Sequence, residues 1–319
     1  MTTFARKPLL LALGLSLAGG CSQQESKPTF QLVMPLKGHP VHQIVQLGFL
    51  EACKKLGYEG RILAADSAAP DAVLGLGEAG LAQGPKGVVA WAGAPQFYPF
   101  IKQVADKGIP IVVPHFPIKE GEAPGLTATV GCDPRDYARA AAEAIAQQLG
   151  GKGTVAVTQG GFNNTENMVS EAFTAHMKER FPQIKVLAPQ AEGFDPPAAI
   201  QKAVAILQAD PDVTGALSTT GGGPTTWAGA QKETGRKLCA IGMDYTRVNL
   251  DLVKNGEVYA TVAQPLYEEA YKAVELLDRA VRGEKVPYEN RLPAPLVTKD
   301  KVGPYYELLN RVEATMRSH

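Results

Sequence analysis

The sequence lacks any excess of charge. Its 32 basic and 32 acidic residues cancel to a formal net charge of zero. A nucleic-acid binder usually carries a basic stripe, so that class is set aside. Past the first thirty residues, no apolar run is long enough to cross a bilayer as a helix. Cysteine is scarce: Cys21, Cys53, Cys132 and Cys239, with no C-x-x-C pair. Zinc or thioredoxin-like chemistry therefore has no support. The three cysteines after Cys21 are an odd number, so at least one free thiol is expected. Cys53, in a helical pattern, and Cys239, opening an apolar strand, read as buried and inert. No Gly-x-Ser-x-Gly elbow and no conspicuous carboxylate pair is present, so the expectation is a non-enzyme with no cofactor and no metal.

What is present starts at the leader. Arg6 and Lys7 precede an apolar run from Leu9 to Leu17, and Ala18-Gly19-Gly20 leads into Cys21. This order of charge, apolar stretch and small residues reads as a signal peptide over residues 1–20. The cysteine after small residues resembles a bacterial lipobox, which implies that Cys21 is the first mature residue and carries lipid. Residues 21–28 then form a polar tether, with the membrane reached through that lipid alone. About 300 residues follow, enough for two ordinary domains.

Those residues alternate between strand and helix patterns. Phe30 to Met34 reads as a strand, His42 to Lys55 as a helix, Arg61 to Ala65 as a strand and Asp71 to Gln83 as a weak helix. Gly87 to Trp91 and Ile109 to Val113 are strands around a helix at Pro99 to Lys107. The rhythm restarts at Tyr137 to Leu149 and runs to a long helix at Tyr267 to Arg282. It is the rhythm of parallel sheets covered by helices on both faces. Gly75-Leu76-Gly77-Glu78-Ala79-Gly80 spells the dinucleotide fingerprint, but no apolar strand runs into it and no acidic residue stands about 20 residues onward. These glycines belong to the weak helix.

Several blocks in order carry a family resemblance. They are Leu32-Val33-Met34, His39-Pro40-Val41-His42, Gly48-Phe49-Leu50-Glu51-Ala52, Gly108-Ile109-Pro110-Ile111-Val112, Ala240-Ile241-Gly242-Met243-Asp244 and Ala260-Thr261-Val262-Ala263-Gln264-Pro265. From about Thr29 onward the chain resembles the ribose-binding type of periplasmic solute-binding protein. The resemblance implies an α/β fold of two Rossmann-like three-layer lobes with parallel sheets. It implies a hinge of three crossings, near Cys132 to Arg135, Gln264-Pro265 and Pro287. Residues 29–132 with 265–287 would form the first lobe, and 133–264 with 288–319 the second. It also implies a monomer that clamps a small-molecule ligand, a sugar or polyol, for the membrane permease of an ABC importer. A sensor feeding a chemoreceptor or kinase, and an exported carbohydrate enzyme, are the alternatives.

The same resemblance implies the site. Asp244 follows an apolar strand, where a carboxylate can accept two neighbouring hydroxyls. Gln264 ends the next strand. Asn167 stands where ribose-type proteins carry a sugar-gripping arginine, with Asn163 in the loop before it. His39, His42 and His115 map to cleft loops as ligand-contacting imidazoles, on separate loops without metal-ligand spacing. Phe116, Phe194 or Trp91 would supply an aromatic stacking face. In Thr219-Thr220-Gly221-Gly222-Gly223-Pro224, a free backbone amide such as that of Gly223 would meet a ligand oxygen. Val41-His42 and His115-Phe116 replace the family's aromatic pair and Asp-Arg pair, which argues against ribose itself.

Overall fold

The computed structural model describes residues 1–2, 27–91, 94–161 and 164–317. The chain begins β1 (Thr29–Met34), α1 (Pro40–Leu56), β2 (Glu59–Ala64), α2 (Pro70–Leu81), β3 (Gly87–Ala90), α3 (Tyr98–Asp106), β4 (Ile111–Pro114) and β5 (Ala128–Gly131). It continues α4 (Pro134–Gln148), β6 (Gly153–Gln159), α5 (Asn164–Arg180), β7 (Ile184–Val186), β8 (Gln190–Ala191), α6 (Pro196–Ala209), β9 (Val213–Ser218), α7 (Gly223–Thr234), β10 (Cys239–Met243), α8 (Arg247–Asn255) and β11 (Ala260–Val262). It ends α9 (Leu266–Val281), β12 (Glu289–Arg291), β13 (Leu296–Thr298) and α10 (Gly303–Met316). None of these helices is long and apolar enough to cross a membrane.

Two sheets result, one per lobe. The first runs β12-β5-β4-β3-β1-β2 and every pairing in it is parallel. The second runs β13-β11-β10-β9-β6-β7, with β8 also on β6, and only its edge strand β13 is antiparallel. Parallel strands need both faces covered, so they read as continuous apolar runs. β1 shows how the pleat serves this. Leu32 and Met34 join the core made with α1 and α9, while Val33 joins Val88, Phe100 and Val104 on the other face.

The chain passes between the sheets between Gly131 and Pro134, between Val262 and Leu266, and between Arg291 and Leu296. The last passage corrects the sequence expectation of Pro287. Thr129 N–H donates to the carbonyl of Tyr288 at 2.7 Å, and β12 then pairs with β5 in the first sheet. Residues 289–291 are short and polar, so their pattern gave no strand signal. β5, β13 and α10 were likewise not marked by the alternation. Gly77 and Gly80 lie inside α2, where a Cβ would meet Phe100 at 2.7 Å and Leu63 at 2.3 Å respectively. They let the helix lie close on its neighbours, which is why they mimic a dinucleotide fingerprint without being one.

The α9 helix returns to the first sheet and lies along α1. Gly48 of α1 makes that closeness possible, because a Cβ there would stand 2.2 Å from the Tyr267 carbonyl oxygen. By propensity alone, Gly48→Ala would stabilise α1 by about 1 kcal/mol. The backbone clash reverses the sign. Gly48→Ala is expected to destabilise the protein by about 3 kcal/mol, read as a lower urea midpoint at unchanged slope.

Candidate ligand-binding site

The site gathers at carboxyl ends of strands, where open α/β sheets bind their guests. Trp91 follows β3, His115 follows β4, Thr219 follows β9, Asp244 follows β10 and Gln264 lies two residues beyond β11. Three non-glycine residues among those described have positive φ: Leu36 at 49°, His115 at 74° and Asp244 at 67°. Each sits at or just past a strand tip. Such backbone costs on the order of 1–3 kcal/mol and persists only where surroundings enforce it.

At Asp244 the enforcement is visible. Its N–H donates to Val262 O at 2.8 Å, and its carbonyl accepts from Thr261 Oγ1 at 2.7 Å. Asn249, buried in the first turn of α8, sends Nδ2 to the carbonyls of Gly221 at 2.9 Å, Met243 at 3.0 Å and Asp244 at 3.1 Å. A Cβ on Gly221 would lie 2.5 Å from Asp244 Oδ2, so only glycine leaves the carboxylate its place. Asp244 Oδ1 is sealed from solvent and has no hydrogen-bond partner. Burial pushes its carboxyl up to about 6, against the pull of His115 and with a further push from Glu269.

The imidazoles divide into two kinds. His42 Nδ1 lies 2.8 Å from the Pro35 carbonyl, so it donates there. Burial lowers the pKa of His42, and the neighbouring His39 and His115 lower it further. His39, before α1, is lowered by partial burial. Both therefore favour the neutral form. His115 behaves oppositely. Burial opposes its charge, but the Glu269 carboxylate, bonded to Nδ1 at 3.2 Å, and Asp244 raise it above 6.5.

Gln264 is half-buried, and its side-chain amide makes no hydrogen bond among the described residues. Asn167 accepts from Gln159 Nε2 at 3.0 Å, which leaves its own NH2 group for a guest. Phe194 is 75% exposed, with its edge lying over Gly160. Phe116 is half-buried and meets both Trp91 and His115 edge-on. Trp91 is only 5% exposed and stacks on His115 at 4.5 Å, so it backs the imidazole instead of offering a free face.

Gly223 is a correction. Its N–H donates to Thr220 O at 3.0 Å, and a Cβ would lie 2.2 Å from Ser218. Its amide is therefore spent inside the loop, and the glycine serves packing at the start of α7. Asn163 and Cys21 lie outside the described residues. The residues that sequence reasoning missed are Asn249 and Glu269, which act only through three-dimensional neighbours, and in the Thr219–Pro224 loop it is Gly221, not Gly223, that borders Asp244. Cys53, Cys132 and Cys239 are free thiols. Burial pushes Cys53 and Cys239 up to about 12 and Cys132 higher still, so none is reactive near neutrality. Among the described residues no His, Cys, Asp and Glu group gathers to hold a metal ion.

Comparison with known proteins agrees with this architecture. A family model described as a periplasmic binding protein domain matches residues 30–285. A xylitol-binding protein of Mycolicibacterium smegmatis is 27% identical over 208 residues, covering 64% of this chain and 58% of the relative. A D-apiose import binding protein of Actinobacillus succinogenes is 27% identical over 152 residues, covering 46% of this chain and 47% of the relative. The chain thus spans about half the length of the curated relatives it matches. The solved sugar-binding protein of a sugar ABC transporter from Bacillus halodurans superposes with a TM-score of 0.82 at 22% identity, covering 87% of this chain and all of that one.

Asn249 is the member of the site whose loss is easiest to read. Asn249→Ala removes the donor shared by three carbonyls, that of Met243 buried and those of Gly221 and Asp244 part-buried. It should cost about 3 kcal/mol in chemical unfolding, where a surface asparagine would cost under about 0.5.

Proposed function

The chain belongs to the periplasmic binding protein family, and from that premise we propose that it is the extracytoplasmic solute-binding component of an ABC importer, closing on one sugar or polyol. One observation carries this reading. Asp244 Oδ1 is buried at a strand tip with no partner in the protein. A carboxylate so placed needs a donor from outside the chain, and a polyhydroxylated guest brings several. Neutral His39 and His42, the unpartnered amide of Gln264 and the exposed ring of Phe194 suit the same guest. The relatives named for xylitol and D-apiose support that class.

The mechanism is a clamp without bond making or breaking. The three passages between the sheets serve as the hinge, and the guest favours the closed state because it touches both lobes. His115 and Phe116 stand on the first sheet's tips, Asp244 and Gln264 on the second's. The closed monomer is the form a membrane permease would read.

Asp244→Asn is the informative variant, since asparagine tolerates the left-handed backbone that Asp244 adopts. Melting of the purified protein should be followed with xylitol, D-apiose and common pentoses and hexoses. A binder at 100-fold excess over its Kd adds about 2.7 kcal/mol of stability. Asp244→Asn should weaken it about 100-fold. Equal binding by the variant, or shifts only from solutes without hydroxyls, would refute the reading.

We also propose that Cys21 is lipidated after cleavage of residues 1–20. The order of charge, apolar run, small residues and cysteine supports this. Cells expressing the full chain should incorporate labelled palmitate into the native protein and not into Cys21→Ser. Equal labelling of both would overturn it.

A further inference from the structure

Glu269 has no part in the ligand contacts assigned above, yet it is fully buried in the first turn of α9, beside the hinge. Its Oε2 meets His115 Nδ1 at 3.2 Å and its Oε1 has no partner. Gly131 borders this corner, where a Cβ would just touch both Glu269 Oε1 and His115 Cα at 3.4 Å. His115 is otherwise fixed. Its amide donates to Val130 O at 2.8 Å, its ring lies on Trp91, and Phe116 meets it edge-on. Nδ1 is committed to Glu269, and Nε2 has no hydrogen-bond partner among the described residues.

We propose that Glu269 is a positioning residue that holds His115 as the cationic hydrogen-bond donor of the cleft, opposite the Asp244 carboxylate. This rests on the reading that the cleft at Asp244 takes the guest. A hydroxyl both accepts and donates, so a chain of hydroxyls can bridge an imidazolium N–H on one lobe and a carboxylate on the other. The Glu269–His115 pair is neutral overall when His115 is protonated, so what it presents from the first lobe is a charge-assisted N–H at Nε2. The titratable groups facing His115 are Glu269 and Asp244, which favour its charge, and His42, which is held neutral. Cys132 and Tyr137 nearby are pushed up by burial and are uncharged. Grip then requires Asp244 ionised and His115 protonated. It weakens as pH rises through the raised pKa of His115, and as pH falls through about 6 where Asp244 takes up a proton.

The test is a ligand-free imidazole NMR titration of the folded protein, with the His115→Gln spectrum assigning the resonance. His115 should titrate above 6.5 with Nδ1 protonated. Glu269→Gln keeps an acceptor and removes the charge, so the pKa should drop by about one unit with the tautomer kept. Glu269→Ala should drop it and mix the tautomers. A native His115 that titrates at or below 6.5, or one unmoved by Glu269→Gln, overturns the proposal. Should neither variant fold, the native titration decides alone. Xylitol is the binding probe, and its affinity at pH 7.5 should fall about 10-fold in Glu269→Gln. Absence of xylitol binding bears on the ligand class and leaves the NMR titration as the deciding measurement for Glu269.

Discussion

One carboxylate oxygen kept from water and from every hydrogen-bond partner is the constraint around which the site is built. Asp244 Oδ1 has neither solvent nor a hydrogen bond. Left alone, such a group would rotate to a donor or drag in water. Against that, its backbone is held in a left-handed conformation by hydrogen bonds to Asn249, Thr261 and Val262, and the bare Cα of Gly221 leaves the carboxylate its place. The strained backbone thus coincides with the buried, unpartnered oxygen, as strained backbone clusters at functional sites in general.

That fixed acceptor is useful only if the opposite lobe is equally well placed, and here α9 matters. The helix follows the second passage between the sheets, packs on α1 through Gly48, and carries Glu269 to His115. One residue after Leu266, Tyr267 donates to Glu51 of α1 at 2.5 Å, and Arg311 of α10 reaches the same carboxylate at 3.3 Å. α10 also packs on α8, so this knot ties an element of the second lobe to α1 and α9 of the first. Hinge, first-lobe core and site chemistry thus share one helix.

The legibility of these features followed their range. The strand-tip positions of Asp244 and Gln264 were readable because a polar residue after an apolar strand is a local pattern. The alternation likewise placed β1 and β3 to within a residue of their observed limits. β12 was not readable because three polar residues form a strand only by pairing with β5, some 160 residues earlier. Asn249 looks like any helix asparagine, and Glu269 like any first-turn acid. Their roles come from carbonyls and an imidazole that the fold delivers. Gly223 misled for the same reason: a glycine before a helix looks like a free amide until the loop's own carbonyl takes it.

The sign of the pH linkage shows what the fold trades for this arrangement. The Asp244 carboxyl is raised from an ordinary 3.8 to about 6. Below 3.8 the group is protonated whether the chain is folded or not, and contributes no difference. Between those values the unfolded chain releases the proton first, so ligand-free stability declines with rising pH, and above about 6 the decline is complete. Roughly two pKa units correspond to about 3 kcal/mol. His115 works the other way in part, since a raised imidazole adds stability below 6.5 that is lost as pH passes its folded pKa. At neutral pH the ligand-free protein therefore carries an unfavourable buried anion near an imidazole whose charged form Glu269 and Asp244 favour. A hydrogen-bond donor brought to Asp244 Oδ1 would offset that desolvation deficit.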